Sequence, residues 1–387
     1  MKFKRIFLIV LDSLGVGETI DAKNFDSVGA NTLGHIVKYN PIDYPNLEKM
    51  GFLNLIGKDV QNTDSYYTKA HPKANGKDTL TGHLEMMGIR TIIPFKTFTK
   101  TGFPPELINE LEKRTGRKII GNCDASGTEI IKQLGPEQIK TGSLIVYTSA
   151  DSVLQIAAHE DIIPLEELYN DCKIARELTL KDEYKVGRII ARPYIGEIGN
   201  FVRTGNRRDY ALNPEGDTVL DNLKNNNYDV IAIGKINDIF NGCGITKTTH
   251  TGNNLEGINT LIETIKEDFT GLCFTNLNDF DSKYGHRRNI KGYAEAIKEF
   301  DNYIPIIKSN LKDDDMVIIT ADHGNDPSYK GTDHTRENTP VLIYSKSFKD
   351  PKHIKELDCF SDIGATIASN FNVKLPNVGR SFLDKLK

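Results

Sequence analysis

The sequence predicts an α/β protein with a mainly parallel sheet sandwiched by helices, interrupted by an inserted domain of α+β type. Three observations lead to this prediction. Short apolar runs such as RIFLIVL (5–11) lack polar alternation, which is typical of parallel strands buried on both faces. These runs alternate with helical segments long enough to connect parallel strands. The alternation breaks off near residue 100 and resumes after residue 212.

The first part of the core, residues 1–99, begins with the strand at 5–11 and the glycine-rich turn from Asp12 to Gly17. Short helices are expected at 29–38 and from Pro45, because proline suits the first turn of a helix. Residues 66–70 suit a short strand. The polar segment from Lys77 then enters a helical pattern, with Asp78 or Thr79 as its natural cap.

The inserted cap domain, residues 100–212, follows a loop-like segment at 95–104 that resembles a hinge. Helices are predicted from Pro104 to Gly116, at 126–134 and at 164–178, where the pattern is plainly amphipathic. Strands are predicted at 143–150 and 186–196. The polar, arginine-rich stretch at 203–210 is expected to be a loop.

The second part of the core, residues 213–387, returns to the first pattern. Buried strands are predicted at 228–234, 271–278, 316–320 and 340–347. Helices are predicted at 218–226, 255–268, 292–312 and 361–370. Each of the first three strands is preceded by a helix, so a parallel sheet is expected here too.

Composition excludes several classes of protein. The 387 residues carry a formal charge of −4, with a pI near 6.2 and a mean hydropathy of −0.40. No basic excess suggests a nucleic-acid partner, and no apolar stretch suggests a membrane span. The apolar run at 6–11 is broken by Asp12 and is too short for a signal peptide. Five scattered cysteines without CxxC spacing favour a reducing, cytoplasmic location.

Metal-binding residue types follow three of the predicted strands. Parallel strands present functional groups where their carboxyl ends meet at one edge of the sheet. The residues are Asp12, then Asp281 with His286, then Asp322 with His323, and His334 one loop later. Three carboxylates and three imidazoles without thiolate suit two manganese or zinc ions. Two-metal sites of this kind mostly perform phosphoryl transfer.

Thr79 is the candidate nucleophile. It lies at an apparent helix start, where free backbone N–H groups and the helix dipole favour a phosphoryl group. Each of these candidate residues, taken alone, also has an ordinary structural explanation. Asp12 could simply cap its turn, and His286 beside Arg287 and Arg288 could belong to a basic surface cluster.

Longer motifs around these residues resemble the alkaline-phosphatase superfamily of metalloenzymes, and within it the phosphopentomutase family. The matching segments are RIFLIVLDSLGVGE, GKDTLTGHLEMMG, GSLIVYTSADSVLQIAAHE, GRIIARPYIGEIGNFVRT, YDVIAIGKI, NLNDFDSKYGHRR and ITADHGNDPSYKGTDHTRE. They extend over nearly the whole chain, including the cap domain. The resemblance therefore implies an alkaline-phosphatase-like core.

The resemblance also implies roles for single residues. One manganese would be held by Asp12, Asp322 and His323, and a second by Asp281, His286 and His334. Thr79 would carry the phosphoryl group. The implied reaction interconverts ribose 1-phosphate and ribose 5-phosphate, and the 2-deoxy sugars, through a sugar bisphosphate. Glucose 1,6-bisphosphate or a similar compound would act as primer.

A mutase must retain its bisphosphate and exclude water, so the cap domain is expected to close over the substrate. The expected substrate-binding residues lie in segments that match the family: Ser149, Asp151, Arg188 and Lys235, with Arg203 and Arg208 as second choices. The remaining histidines are expected to have ordinary structural roles, and among them His83 is the one that follows Thr79 closely. Asp333 is expected to hold His334 or its loop in place.

Three other functions remain open. Cofactor-independent phosphoglycerate mutases share the core but carry serine, whereas this motif has Thr79. A phosphatase or phosphodiesterase of the same superfamily would not need the long cap motifs. A non-catalytic, metal-stabilised binding protein should lack some ligands or the nucleophile. Pentose phosphates are the expected partners, with no nucleic acid, membrane or obligate protein partner.

Overall fold

The computed structural model describes residues 2–149 and 152–387, which form two compact units. The first unit combines the chain up to Ile93 with Asn213–Lys387, and the second is Pro94–Leu212. The second unit begins a few residues before the expected position 100. Its additional residues are held by that unit, because the ring of Phe98 packs on Phe103 and the Lys96 N–H donates to the Lys185 carbonyl.

The strands and helices have the following bounds in chain order. The strands are β1 (Arg5–Leu11), β2 (Tyr66–Ala70), β3 (Ile119–Asp124), β4 (Leu144–Thr148), β5 (Val153–His159), β6 (Arg188–Ile195), β7 (Val202–Arg203), β8 (Arg208–Ala211), β9 (Asp229–Ile233), β10 (Lys247–Thr249), β11 (Gly271–Leu277), β12 (Asp315–Thr320) and β13 (Thr339–Tyr344). The helices are α1 (Thr32–Tyr39), α2 (Pro45–Lys49), α3 (Thr79–Met86), α4 (Pro105–Thr115), α5 (Gly127–Thr141), α6 (Leu165–Leu178), α7 (Val219–Asn225), α8 (Ile236–Ile239), α9 (Asn254–Lys266), α10 (Ile290–Asn310) and α11 (Ser361–Phe371). Among the described residues, no helix is both long and apolar enough to cross a membrane.

The first unit is built on a mainly parallel sheet. Its strand order is β10-β9-β11-β1-β12-β13-β2. The five strands from β10 to β12 in this order are parallel. At one edge β13 pairs antiparallel with β12, and β2 pairs antiparallel with β13. Every residue of β1, β11 and β12 is buried, which explains why their sequences lack polar alternation. The predicted α/β class with a mainly parallel sheet is confirmed.

Helices cover both faces of this sheet. On one face, α1, α2, α9 and α10 pack against side chains such as Phe7 and Cys273. On the other face, His83 of α3 and the Phe240 ring just after α8 pack against Phe274. The side chains of Cys273 and Phe274 serve opposite layers because successive residues of a strand point to opposite faces.

A buried ion pair joins the amino ends of the central strands. Arg5 on β1 and Asp315 on β12 are both fully buried and form two hydrogen bonds of 2.8 and 2.6 Å. Arg5 Nη1 also donates to the carbonyls of Ile265 and Glu267. This guanidinium therefore lies at the end of the sheet opposite to Asp12.

The second unit has its own sheet, with strand order β3-β4-β5-β6-β7 and β8 paired to β6. Helices α4 and α6 pack on one face and α5 packs on the other. Two sequence predictions are wrong here. The sequence does not predict strand β5, because Gln155 and two alanines weaken its apolar signal. The segment 203–210, predicted to be a loop, contains most of β8. Helix α5 also continues past its predicted end at residue 134, passing through Pro136 and ending at Gly142 (φ 68°).

Candidate metal centre

The carboxyl ends of three adjacent strands converge at one edge of the first sheet. Strand β1 lies between β11 and β12, and all three run parallel. Asp12 directly follows β1, and Asp322 and His323 follow β12. Asp281 lies in a π-helical turn (Phe280–Gly285) just after β11, and His286 ends that turn. The sheet topology therefore brings together residues that are far apart in sequence.

The first group of possible ligands consists of Asp12, Asp322 and His323. All three are buried, with side-chain exposures of 3% or less. His323 Nε2 lies 3.5 Å from Asp12 Oδ1 and 3.3 Å from Asp322 Oδ2. One ligand atom from each residue lies within 4.8 Å of the others, which is compact enough to hold one ion.

The second group consists of Asp281, His286 and His334. Asp281 Oδ2 lies 3.1 Å from His286 Nε2, and Asp281 Oδ1 lies 3.4 Å from His334 Nε2. The two Nε2 atoms of the histidines are 3.0 Å apart. The groups are neighbours, since the rings of His323 and His334 have centroids 4.1 Å apart.

Buried charge dominates the electrostatics of these groups. Burial, with the charges of Asp322 and Asp281, raises the pKa of Asp12 to about 7. Burial also opposes ionisation of Asp322, but His323 and His83 lower its pKa to about 2. Burial disfavours the charged form of His323, yet the surrounding carboxylates raise its pKa to about 9. The chain concentrates negative charge here, and a cation would stabilise it.

The hydrogen bonds of the groups fit a divalent cation. Asp12 Oδ1 and Asp322 Oδ2 are buried and accept no hydrogen bond within residues 2–149 and 152–387, although His83 Nδ1 and His323 Nε2 each lie 3.3 Å from Asp322 Oδ2. His323 Nδ1 and His286 Nδ1 face the carbonyls of Gly324 and Thr332 at 3.0 and 2.8 Å. A carbonyl only accepts, so each Nδ1 carries a proton, and Nε2 is the nitrogen that would bind a metal after giving up any proton of its own.

Thr79 is the first residue of α3 and lies beside the first group. Its Oγ1 is 3.1 Å from His323 Nε2. Asp78 caps the helix by accepting the N–H of Thr81 at 3.0 Å, while the earlier amides of the first turn have no intrahelical acceptor. Gly82 allows the close approach of this helix, because a Cβ there would lie 2.2 Å from the Asp322 carbonyl oxygen.

Two residues that sequence reasoning missed support this arrangement. His83 is fully buried, and its Nδ1 lies 2.8 Å from the Thr79 carbonyl. Asn276 of β11 donates from Nδ2 to Asp12 Oδ2 at 2.9 Å. The spacing of His83 four residues after Thr79 on a helix was a usable signal, whereas nothing in the sequence marks Asn276.

The loop between His323 and His334 is held by Arg288. Its guanidinium donates to the side chain of Asn325 at 2.6 Å and to the carbonyl of Asp333 at 3.1 Å. Asn325 in turn donates to Asp281 Oδ1 at 2.8 Å. Asp333 Oδ1 accepts the backbone N–H of His334, which agrees with the holding role expected for it.

The residues expected to bind substrate are divided between the units. Lys235 of the first unit donates to Asn278, just beyond β11, and its charge partly opposes the rise in the pKa of Asp12. In the second unit, Arg188 lies 3.6 Å from Asp209. Ser149 follows β4, and Asp151 lies outside the described residues.

Arg192 and Arg203 lie on the same face of the second sheet as Arg188. Burial and the neighbouring charge of Arg207 lower the pKa of Arg192 to about 10, and the charge of Arg203 contributes in the same direction. Arg208 points to the other face, where its guanidinium stacks 4.2 Å from the ring centre of Tyr169. The structure therefore separates Arg208 from Arg188, because Arg208 and Asp209 are successive residues of β8.

Comparison with known proteins shows which superfamily matches this chain and which solved structures share its fold. A sequence model described as the metalloenzyme superfamily matches residues 4–375. A phosphoglycerate mutase of Leishmania mexicana aligns with a TM-score of 0.51 and 12% identity over 98% of this chain and 97% of that chain. A protein of Pyrococcus horikoshii aligns with a TM-score of 0.49 and 15% identity over 96% and 98% of the two chains. The mutase shares the fold of this chain, and at 12% identity the likeness concerns the fold alone.

Proposed function

The chain belongs to the metalloenzyme superfamily, and from this premise we propose that it is a phosphopentomutase. The proposed reaction interconverts ribose 1-phosphate and ribose 5-phosphate, and likewise the 2-deoxyribose phosphates. The observation that carries the proposal is the 3.1 Å contact between Thr79 Oγ1 and His323 Nε2. It brings a hydroxyl at a helix start next to two adjoining groups that suit cations.

In the proposed cycle, the resting chain carries a phosphoryl group on Thr79. A hydroxyl of the sugar phosphate attacks this phosphorus, the bond from Oγ1 to phosphorus breaks, and a sugar bisphosphate forms. After the sugar reorients, Oγ1 attacks the other phosphate, and the bond between that phosphorus and its sugar oxygen breaks. Thr79 regains a phosphoryl group, and the isomeric sugar monophosphate leaves with a hydroxyl at the oxygen that lost its phosphate. Glucose 1,6-bisphosphate or a similar bisphosphate would supply the first phosphoryl group to an unmodified chain.

The residues of this chain have separate tasks in that cycle. Asp12, Asp322 and His323 would hold one divalent ion, and Asp281, His286 and His334 would hold the other. When bound, such ions, manganese in our proposal, supply positive charge that stabilises a phosphoryl group in transfer. Asp78 fixes the first turn of α3, so the amides of that turn face the phosphoryl oxygens.

The remainder of the substrate needs cationic and polar partners of its own. Arginine forks recognise phosphate well, and Arg188 and Arg203 share a face of the second sheet with Arg192. We include Ser149, Asp151 and Lys235 as further substrate contacts. We assign no substrate contact to Arg208, since its guanidinium stacks on Tyr169. Five free thiols among the described residues support our further proposal that the protein is cytoplasmic.

A coupled assay with three substrates tests the proposal. The purified chain, with manganese and glucose 1,6-bisphosphate, should convert ribose 1-phosphate to ribose 5-phosphate and leave 2- and 3-phosphoglycerate unchanged. Thr79→Ala should abolish turnover, whereas Thr141→Ala, an exposed threonine on α5, should retain it. Conversion of phosphoglycerate instead would favour the phosphoglycerate mutase alternative, and release of inorganic phosphate without isomerisation would favour a phosphatase.

A further inference from the structure

A single buried guanidinium holds the segment that leads into Thr79. Arg336 is 2% exposed, and all five of its N–H groups donate. Three of them reach carbonyls of this segment, those of Pro72 (2.8 Å), Ala74 (2.8 Å) and Gly76 (2.7 Å). The other two donate to the carboxylate of Asp21. The guanidinium carbon also lies 4.4 Å from the centre of the Phe25 ring.

A buried carboxylate holds the same segment from the side of the helix. Glu85 of α3 is 1% exposed. Its side chain accepts the backbone N–H groups of Lys73 at 2.9 Å and Ala74 at 2.8 Å. It also accepts the N–H of Phe360, immediately before α11. Residues 72–76 belong to no strand or helix, so these side chains take the place of a backbone ladder.

The same contacts tie the nucleophile to the second ligand group. Arg336 lies two residues after His334 in the sequence. On the other side of that histidine, Asp333 Oδ2 pairs with Lys77 Nζ at 2.8 Å. One short stretch, 333–336, therefore holds the approach to Thr79 at two points and carries a possible ligand between them.

From these contacts we propose that Arg336 and Glu85 are positioning residues that fix Thr79 for phosphoryl transfer. The inference rests on the proposed function and extends it to residues that touch neither substrate nor metal. A displacement of about 1 Å at a reacting atom can reduce a rate about 100-fold. Lysine cannot replace the fork of Arg336, because a single ammonium does not reach three carbonyls and a carboxylate with planar geometry.

The test compares Arg336→Lys and Glu85→Gln with the control Arg5→Lys. Arg5 is equally buried and also bonds one carboxylate and two carbonyls, but it lies at the far end of the sheet. Each folded variant is treated with manganese and glucose 1,6-bisphosphate, and the phosphoryl content of Thr79 is followed by mass spectrometry. Manganese content and hydrogen exchange of amides 73–82 are measured on the same samples.

We expect Arg336→Lys to slow phosphorylation of Thr79 by about 10- to 100-fold, with unchanged manganese content and faster exchange at 73–82. Glu85→Gln should act in the same direction, and it decides the matter if Arg336→Lys does not fold. Arg5→Lys should lower thermal stability without slowing phosphorylation. Wild-type rates and exchange in the Arg336 and Glu85 variants, or equal slowing in the control, would overturn the inference. If the wild-type chain itself takes up no phosphoryl group, the proposed function fails. The exchange data still decide whether Arg336 and Glu85 hold the segment that leads into Thr79.

Discussion

Asp322 is a buried carboxylate whose negative charge the proposed first ligand group needs to hold an ion. One of its oxygens accepts the N–H of Ser13 at 3.0 Å, and the other accepts no hydrogen bond in the described parts of the chain. An amide can replace the first interaction but supplies no negative charge for an ion. We therefore predict that Asp322→Asn folds but loses at least one manganese, as measured by metal analysis of purified protein.

Asp326 provides the matched control for this prediction. It is a buried carboxylate in the same loop, but its oxygens accept hydrogen bonds from Asn31 and Ser328. The Asp326→Asn protein should therefore retain the manganese content of the wild type. A full complement of manganese in Asp322→Asn would remove this residue from the proposed first ligand group.

A second titratable residue, Asp171, allows a prediction about stability. It is buried on α6, and its Oδ2 accepts no hydrogen bond from the residues that the structure describes. Burial, reinforced by Glu167, raises the pKa of Asp171 from 3.8 to about 7. The folded state thus retains a proton that the unfolded chain releases earlier, and stability falls as pH rises through this window.

Asp171→Asn removes that titration. The free energy of unfolding of the variant relative to wild type should rise by roughly 1–3 kcal/mol between pH about 4 and about 7, and then level off. Denaturant titrations of both proteins across this range measure the difference. A difference that stays constant with pH would show that Asp171 ionises normally in the folded state.

Some residues of the site were predictable from sequence, and others were not. Asp12, Asp281 and Asp322 follow apolar strands, so their meeting at one sheet edge follows from the rules of parallel sheets. Asn276 and Arg336 have no such signal. Their roles depend on hydrogen bonds to Asp12 and to carbonyls some 260 positions away in sequence, which only the folded chain brings together.

At the scale of elements, the packing of α3 against the loop after β12 sets the position of Thr79. Alanine in a helix interior is ordinarily more stable than glycine by about 1 kcal/mol. At Gly82 we predict the opposite effect, because the added Cβ would lie 2.2 Å from the Asp322 carbonyl oxygen and would displace the helix. Gly82→Ala should lower the proposed mutase activity by at least about 10-fold while the protein remains folded.

Activity and circular dichroism of Gly82→Ala test this prediction. Gly252→Ala is a suitable control, since a Cβ there meets only the flexible end of Glu256. Unchanged activity in Gly82→Ala would mean that α3 can shift without moving Thr79 out of place.

Elements differ in how well their sequences predict them. Strands β1, β11 and β12 are buried throughout and mainly apolar, so their sequences predict them. Strand β5 is also buried throughout, but Gln155 and its alanines give it no strong apolar run. The antiparallel direction of β13 could not be predicted either, because direction depends on pairing with β12 and not on composition.

At the scale of the whole molecule, the proposed metal ligands and the proposed sugar-phosphate contacts belong mainly to different units. The metalloenzyme superfamily match extends from residue 4 to residue 375 and so includes the segment between the two parts of the core. Both proposed ligand groups and Thr79 belong to the first unit. The face of the second sheet that carries Arg188, Arg192 and Arg203 belongs to the second unit, and we propose that it selects the sugar phosphate. Fold likeness alone does not distinguish pentose phosphates from phosphoglycerates.

The most direct measurement of the central claim is the location of the phosphoryl group. The chain is incubated with manganese and glucose 1,6-bisphosphate, digested, and its peptides are sequenced by mass spectrometry. We predict one phosphoryl group on Thr79, which is regenerated in each turnover of added ribose 1-phosphate, and none in Thr79→Ala. A phosphoryl group on another residue, or turnover of ribose 1-phosphate by Thr79→Ala at the wild-type rate, would contradict the account.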